Sequence, residues 1–139
     1  MKYMFIAGEA SGDLHASHLI SSIRELDPAA EIRFFGGDLM AKAARCKPDL
    51  HYDQMNVMGF SEVLRRLPRI FGNLKKAKRL LDAFRPDVLV LVDYPGFNLK
   101  LARYAHRRGI RADYYISPKV WAWKEWRVKK IKKHVSSMY

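Results

Sequence analysis

The run Val88-Leu89-Val90-Leu91-Val92 most constrains how this chain can fold. Five leucine or β-branched residues follow one another with no polar alternation. That is the pattern of a strand buried on both faces, inside a parallel sheet covered by helices. Pro86 and the Pro95-Gly96 pair bracket the run, so the strand starts and stops sharply. Asp93 then sits where the strand runs out, at the edge where open parallel sheets place their chemistry.

Strand-like and helical segments alternate around it. Lys2 to Ala7 reads as a first buried strand, followed by a helix with apolar residues Leu19, Ile20, Ile23 and Leu26, closed by Pro28. Glu31 to Phe35 reads as a second strand, Asp38 to Ala44 as a short helix with Asp38 as N-cap, and Leu50-His51-Tyr52 as a short third strand. An amphipathic helix over Met58–Phe71 is predicted to kink or split at Pro68, with a second helix continuing through Leu74, Lys78, Leu81 and Phe84. Beyond the central run come a helix from about Phe97 to Arg108 with Gly109 as its C′ residue, and a strand from Ala112 to Ile116. A basic helix over Lys124–Lys133 and a strand-like tail, His134–Tyr139, complete the chain. This order predicts one Rossmann-like, doubly wound α/β domain over residues 1–139, a mostly parallel sheet with helices on both faces. The strand-like tail with nothing after it leads us to expect a fragment of a longer protein.

Composition narrows the classes. At 139 residues and 49% hydrophobic, the chain can bury a core without disulfides and is not a disordered sequence. No apolar run approaches the ~18 residues of a membrane span. Met1–Ala7 leads straight into a strand and lacks a signal-peptide pattern, and the single cysteine, Cys46, fits a reducing cytoplasm. The 26 Lys and Arg against 14 Asp and Glu leave a charge of +12, which favours polyanions: nucleic acid, anionic lipid headgroups or phosphorylated substrates.

Four stretches carry candidate chemistry. Gly8-Glu9-Ala10-Ser11-Gly12-Asp13 joins the first strand to the first helix, where glycines allow close backbone approach and a helix N-terminus offers free N–H groups. It matches neither the dinucleotide fingerprint nor a P-loop, and Glu9 and Asp13 favour hydroxyl contacts over direct phosphate binding. The alternative is a plain βα turn capped by Ser11 or Asp13. Asp93 is a candidate general base toward a hydroxyl; the alternative is a cap for the following helix, with Asn98 another possible cap. Ser117-Pro118-Lys119-Val120-Trp121-Ala122-Trp123 could stack indoles on sugars or bases, or plug the end of the sheet. The stripe Phe60, Val63, Leu64, Leu67, Ile70 and Phe71, with Arg65, Arg66 and Arg69 beside it, is either a helix facing the core or one lying on an anionic bilayer. His15 and His18 stand at i,i+3 on the first helix, but no cysteine or clustered acid completes a site, so no metal is expected, and no Gly-x-Ser-x-Gly elbow is present.

Taken in order, Gly8–Asp13, Val57-Met58-Gly59-Phe60-Ser61-Glu62-Val63-Leu64, Asp93-Tyr94-Pro95-Gly96-Phe97-Asn98 and Ser117–Trp123 resemble the lipid-A-disaccharide synthase family of inverting glycosyltransferases. Gly96 departs from that pattern, standing where relatives often carry an acid, which argues against a second carboxylate here. The resemblance implies the N-terminal, acceptor-side half of a two-domain GT-B fold, with the UDP-sugar domain outside this chain. It implies transfer of 2,3-diacylglucosamine from its UDP derivative to the 6-hydroxyl of 2,3-diacylglucosamine 1-phosphate, with Asp93 as base and no metal or other cofactor. It also implies substrate contacts from Gly8, Glu9, Ser11, Gly12, Asp13, Asn98, Ser117, Trp121 and Trp123. The Phe60–Phe71 stripe would then lie on the anionic inner face of the cytoplasmic membrane. Nucleic acid is not the expected partner, since no RNP, KH or helix-turn-helix signature is present. A basic nucleic-acid-binding module and a different GT-B sugar-nucleotide enzyme are the competing readings.

Overall fold

The computed structural model describes residues 1–54, 60–115 and 137–138 and, among these, the side chains of all but residues 54, 60–71, 95 and 137–138. The elements follow as β1 (Lys2–Ala7), α1 (Ala10–Leu26), β2 (Glu31–Gly36), α2 (Asp38–Ala44), β3 (Leu50–His51), α3 (Phe60–Phe84), β4 (Val88–Val92), α4 (Pro95–Arg107), β5 (Arg111–Tyr115) and β6 (Ser137–Met138). A 3-10 turn, Tyr52–Gln54, follows β3. The strands form one sheet in the order β3-β2-β1-β4-β5-β6, and every neighbouring pair is parallel. This is the doubly wound arrangement expected from the alternation of strands and helices.

The pleat sends successive strand residues to opposite faces, and helices cover both. Met4 and Ile6 of β1 and Leu89 and Leu91 of β4 pack with Leu81 of α3 and Leu101 of α4. Phe5 and Ala7, with Val90 and Val92, face the other way onto Ala16 and Ile20 of α1 and Met40 of α2. The unbroken apolar run in β4 is thus explained: alternate residues serve two cores. Each such side chain contributes about 1.5–3 kcal/mol on leaving water.

Local signals account for most element ends. Gly109 takes a φ of 70°, the Ile110 amide donates to the Ala105 carbonyl at 2.9 Å, and the Gly109 amide donates to that of His106 at 3.1 Å. That closes α4 with a Schellman motif. Three expectations change. The helix predicted to kink or split at Pro68 is not split: α3 runs through that residue as one 25-residue element. Asp38 does not cap α2; Gly37 holds the cap position, with no side-chain bond of its own. α4 starts at Pro95, ahead of the expected Phe97, because proline in a first turn gives up an N–H that has no helical partner there.

Candidate active site

The direction of winding reverses between β1 and β4: β2 and β3 lie outside β1, while β5 and β6 lie outside β4. Crossovers therefore leave the two central strands in opposite directions, and a crevice opens beyond their carboxyl ends. The register Ala7↔Val92 sets Gly8-Glu9 beside Asp93-Tyr94 at this point. Two motifs far apart in sequence become one site.

The two loops touch. A Cβ built on Gly8 would lie 2.5 Å from ring carbons of Tyr94, so only glycine lets that ring lie against the β1–α1 backbone. Asp93 and Tyr94 both occupy the left-handed region, with φ of 48° and 51°. For L-residues that conformation costs about 1–2 kcal/mol each. Three contacts offset it. The Asp93 carbonyl accepts hydrogen bonds from Asn98 Nδ2 at 2.6 Å and from the Tyr114 hydroxyl at 2.7 Å. The Asn98 amide N–H donates to the Tyr94 carbonyl at 3.0 Å, starting α4. Two such bonds on one carbonyl return about 1–3 kcal/mol, and the packing of the Tyr94 ring near Phe97, 5.8 Å between centroids, adds to this.

Asp93 is therefore not a helix cap, since Tyr94 holds the N-cap position and no side chain caps α4. The Asp93 carboxylate is half-buried and makes no hydrogen bond or ion pair among the described residues. Asn98 is not a cap either. It is fully buried inside α4, and its Nδ2 also reaches the Val92 carbonyl at 3.4 Å, so it braces the turn from below.

The Gly8–Asp13 motif is less a loop than the first turn of α1, which starts at Ala10 with Glu9 at the N-cap and no side-chain cap. Its residues divide by exposure. Glu9 and Ser11 are open to solvent, whereas Gly8, Gly12 and Asp13 are buried. Asp13 points away from the crevice chemistry and into α2: its carboxylate accepts from the amides of Gly37 at 2.9 Å, Leu39 at 3.1 Å and Met40 at 3.0 Å. It caps a neighbouring helix, not its own. A Cβ on Gly37 would come within 2.7 Å of that carboxylate, which explains the glycine at the α2 cap position. Of these residues, Glu9 and Ser11 are exposed and Asp93 is half-buried, while Gly8, Gly12, Asp13 and Asn98 are buried.

Burial pushes the Tyr114 hydroxyl far above its ordinary range, and the nearby Asp93 charge pushes the same way. Burial also raises Tyr94, with Glu9 adding to it. A raised tyrosine favours the neutral folded form, so its contribution to stability is complete below about pH 10 and is lost as pH climbs past the unfolded tyrosine value. We expect Tyr114 to stay un-ionised in phenolate absorbance titrations until the domain unfolds. Above pH 10 stability should fall by up to about 1.4 kcal/mol per pH unit for this group. A Tyr114→Phe variant should lose that part of the slope.

The other expected site residues lie outside what the structure describes. Ser117, Trp121 and Trp123 lie outside the described residues, as does the basic segment 124–133. Phe60, Val63, Leu64, Leu67, Ile70 and Phe71 belong to α3, but their side chains are outside the described set. A depression of about 490 Å³ lined by Met1, Lys2, Ala29, Glu31, Arg85 and Asp87 lies at the amino ends of the strands, the opposite edge of the sheet. Among the described residues no group of three His, Cys, Asp or Glu side chains is arranged to hold a metal, and no helix is long and apolar enough to cross a membrane. Tyr114 was missed by sequence reading, although a tyrosine in a buried strand needs a partner for its hydroxyl, and that need is a usable signal.

The fold and site define a Rossmann-like domain that places an acid and a glycine-bearing helix start at its topological switch point. Residues 3–139 match the family described as lipid-A-disaccharide synthetase. The chain belongs to that family. It is 44% identical to the lipid-A-disaccharide synthase of Nitrosococcus oceani over 96% of its own length and 34% of the relative's. With that of Trichlorobacter lovleyi it shares 42% identity over 99% of its length and 36% of the relative's. The chain thus spans about a third of the length of these curated relatives. Among solved structures, a UDP-N-acetylglucosamine 2-epimerase superimposes with a TM-score of 0.68 at 14% identity, covering 100% of this chain and 41% of that one. The UDP-GlcNAc 2-epimerase of Neisseria meningitidis does so with a TM-score of 0.57 at 12% identity, over 83% of this chain and 32% of that one. At such identities the likeness concerns the fold.

Proposed function

We propose that this chain is the acceptor-side, N-terminal part of an inverting GT-B glycosyltransferase that builds the lipid A disaccharide. The single observation that carries the reading is Asp93: a half-buried carboxylate with no hydrogen-bond partner among the described residues, at the switch point, beside the exposed Glu9 and Ser11. In this reading Asp93 takes the proton from the 6-hydroxyl of 2,3-diacylglucosamine 1-phosphate. The freed oxygen attacks the anomeric carbon of UDP-2,3-diacylglucosamine in line, and UDP leaves with the electron pair of the broken bond. Glu9 and Ser11 hold sugar hydroxyls, with the Ser117–Trp123 segment contributing beside them. Gly8, Gly12, Asp13 and Asn98 shape the site from behind. No metal or cofactor is called on. A second domain holds most of the UDP site, so residues 1–139 alone do not turn over.

The charge of +12 supports an anionic surface as the working environment. We place the protein on the inner face of the cytoplasmic membrane, with the Phe60–Phe71 stripe toward the lipid. The test compares the complete protein with residues 1–139, each given acylated or non-acylated UDP-glucosamine donors and the monophosphate acceptor. Disaccharide and UDP are expected only from the complete protein and only with the acylated donor. Disaccharide from residues 1–139 would overturn the two-domain reading. Equal use of the non-acylated donor would overturn the substrate assignment and favour another sugar-nucleotide enzyme.

A further inference from the structure

Asp93 and Tyr94 are two successive left-handed residues, neither of them glycine, at the tip of the central strand. Such a pair relaxes unless neighbouring groups hold it. α4 supplies one holding group, Asn98 Nδ2 on the Asp93 carbonyl. The other comes from a different element. Tyr114 lies in β5, paired with Leu91 of β4, and its ring has no solvent exposure. Its hydroxyl, buried with the ring, donates to that same Asp93 carbonyl at 2.7 Å. The proton goes to the main chain and not to the carboxylate, so this hydroxyl cannot act as an acid or a relay toward the reacting oxygen through this bond.

We infer that Tyr114 is a positioning residue, whose hydroxyl fixes the left-handed turn at Asp93 and so sets the direction of the catalytic carboxylate. The inference rests on the reading of Asp93 as the base. Two donors from two elements, α4 and β5, meet on one carbonyl oxygen, and without the Tyr114 hydroxyl that oxygen keeps only the bond from Asn98 Nδ2. The ring of Tyr94 against Gly8 locks the next residue in the same way from the β1 side. Removing the hydroxyl leaves the ring and its packing in place. The turn then spends more time in conformations that carry the carboxylate away from the acceptor hydroxyl, and chemistry slows while binding does not.

The test uses the complete protein in three forms: wild type, Tyr114→Phe and Asp93→Asn. Tyr114→Phe is expected to lower kcat about tenfold, the weight of one such hydrogen bond, with KM for both substrates within about twofold. In protein labelled at aspartate, the one-bond Cα–Hα coupling of Asp93, which reports the sign of φ, should move away from its positive-φ value. Tyr114→Phe with wild-type kcat, beside an inactive Asp93→Asn, would overturn the positioning role and leave the base reading standing. So would a lowered kcat with the Asp93 coupling unchanged, since the loss would then not pass through the turn. Turnover that survives Asp93→Asn would overturn the base reading, and the inference with it.

Discussion

Replacing Asp93 by asparagine in the complete protein is expected to lower turnover about 10³-fold, as for loss of a positioned general base, while acceptor binding and thermal unfolding stay near wild type. Asparagine matches aspartate in size and tolerates the left-handed region, so the φ of 48° is retained at little cost. The main-chain carbonyl still receives Asn98 and Tyr114, and the turn stays braced. What disappears is an oxygen able to take a proton. Alanine would be a poorer probe, because it also disfavours positive φ and would mix a conformational loss with a chemical one. Single-turnover assays with saturating donor read the chemical step directly. Turnover within tenfold of wild type would remove Asp93 from the mechanism.

The largest expected effect on stability comes from Asp13→Ala. Three backbone amides at the start of α2, those of Gly37, Leu39 and Met40, would lose their buried acceptor at once. Charge-assisted bonds to a buried carboxylate are individually worth about 1.5–3 kcal/mol, and water admitted into the gap recovers part of the loss. A net destabilisation of about 4 kcal/mol follows, a large share of the total for a domain of this size. Asp13→Asn keeps one acceptor oxygen and should lose roughly half as much. Urea unfolding at neutral pH reads both. A change below about 1 kcal/mol for the alanine variant would show that α2 is held by packing alone.

Much of the fold was legible because it is written in local patterns. An unbroken apolar run between prolines marks β4, and Gly109 marks the end of α4, since each depends on residues a few positions apart. The position of Asp93 at a strand end followed for the same reason. What escaped depends on partners distant in sequence. Asp13 was a candidate for ligand contact or for capping its own helix, yet its partners stand 24 to 27 residues away, on an element whose start had been credited to Asp38. Gly8 suggested room for a ligand, whereas the group that fills the space is the Tyr94 ring. Asn98 suggested a cap, and only its full burial and its bonds back to Val92 and Asp93 show it to be a brace. Tyr114 gave no motif at all, because its role arises from strand register.

The pairing of β1 with β4 also joins segments far apart in the chain. Lys2 and Asp87 are 85 residues apart, yet the Lys2 amide donates to the Asp87 carboxylate at 2.7 Å and the Asp87 amide to the Lys2 carbonyl at 2.8 Å. The first three strands and their two helices assemble through short crossovers. The β1–β4 seam forms only after a much longer loop has closed, and that entropy is lost before any contact across the seam repays it. A chain made only as far as β3 has no β4 to pair with the open flank of β1, and so no crevice. The crevice arrives only when β4 docks on β1, and the flank that waits for it is the surface a chaperone would have to shield.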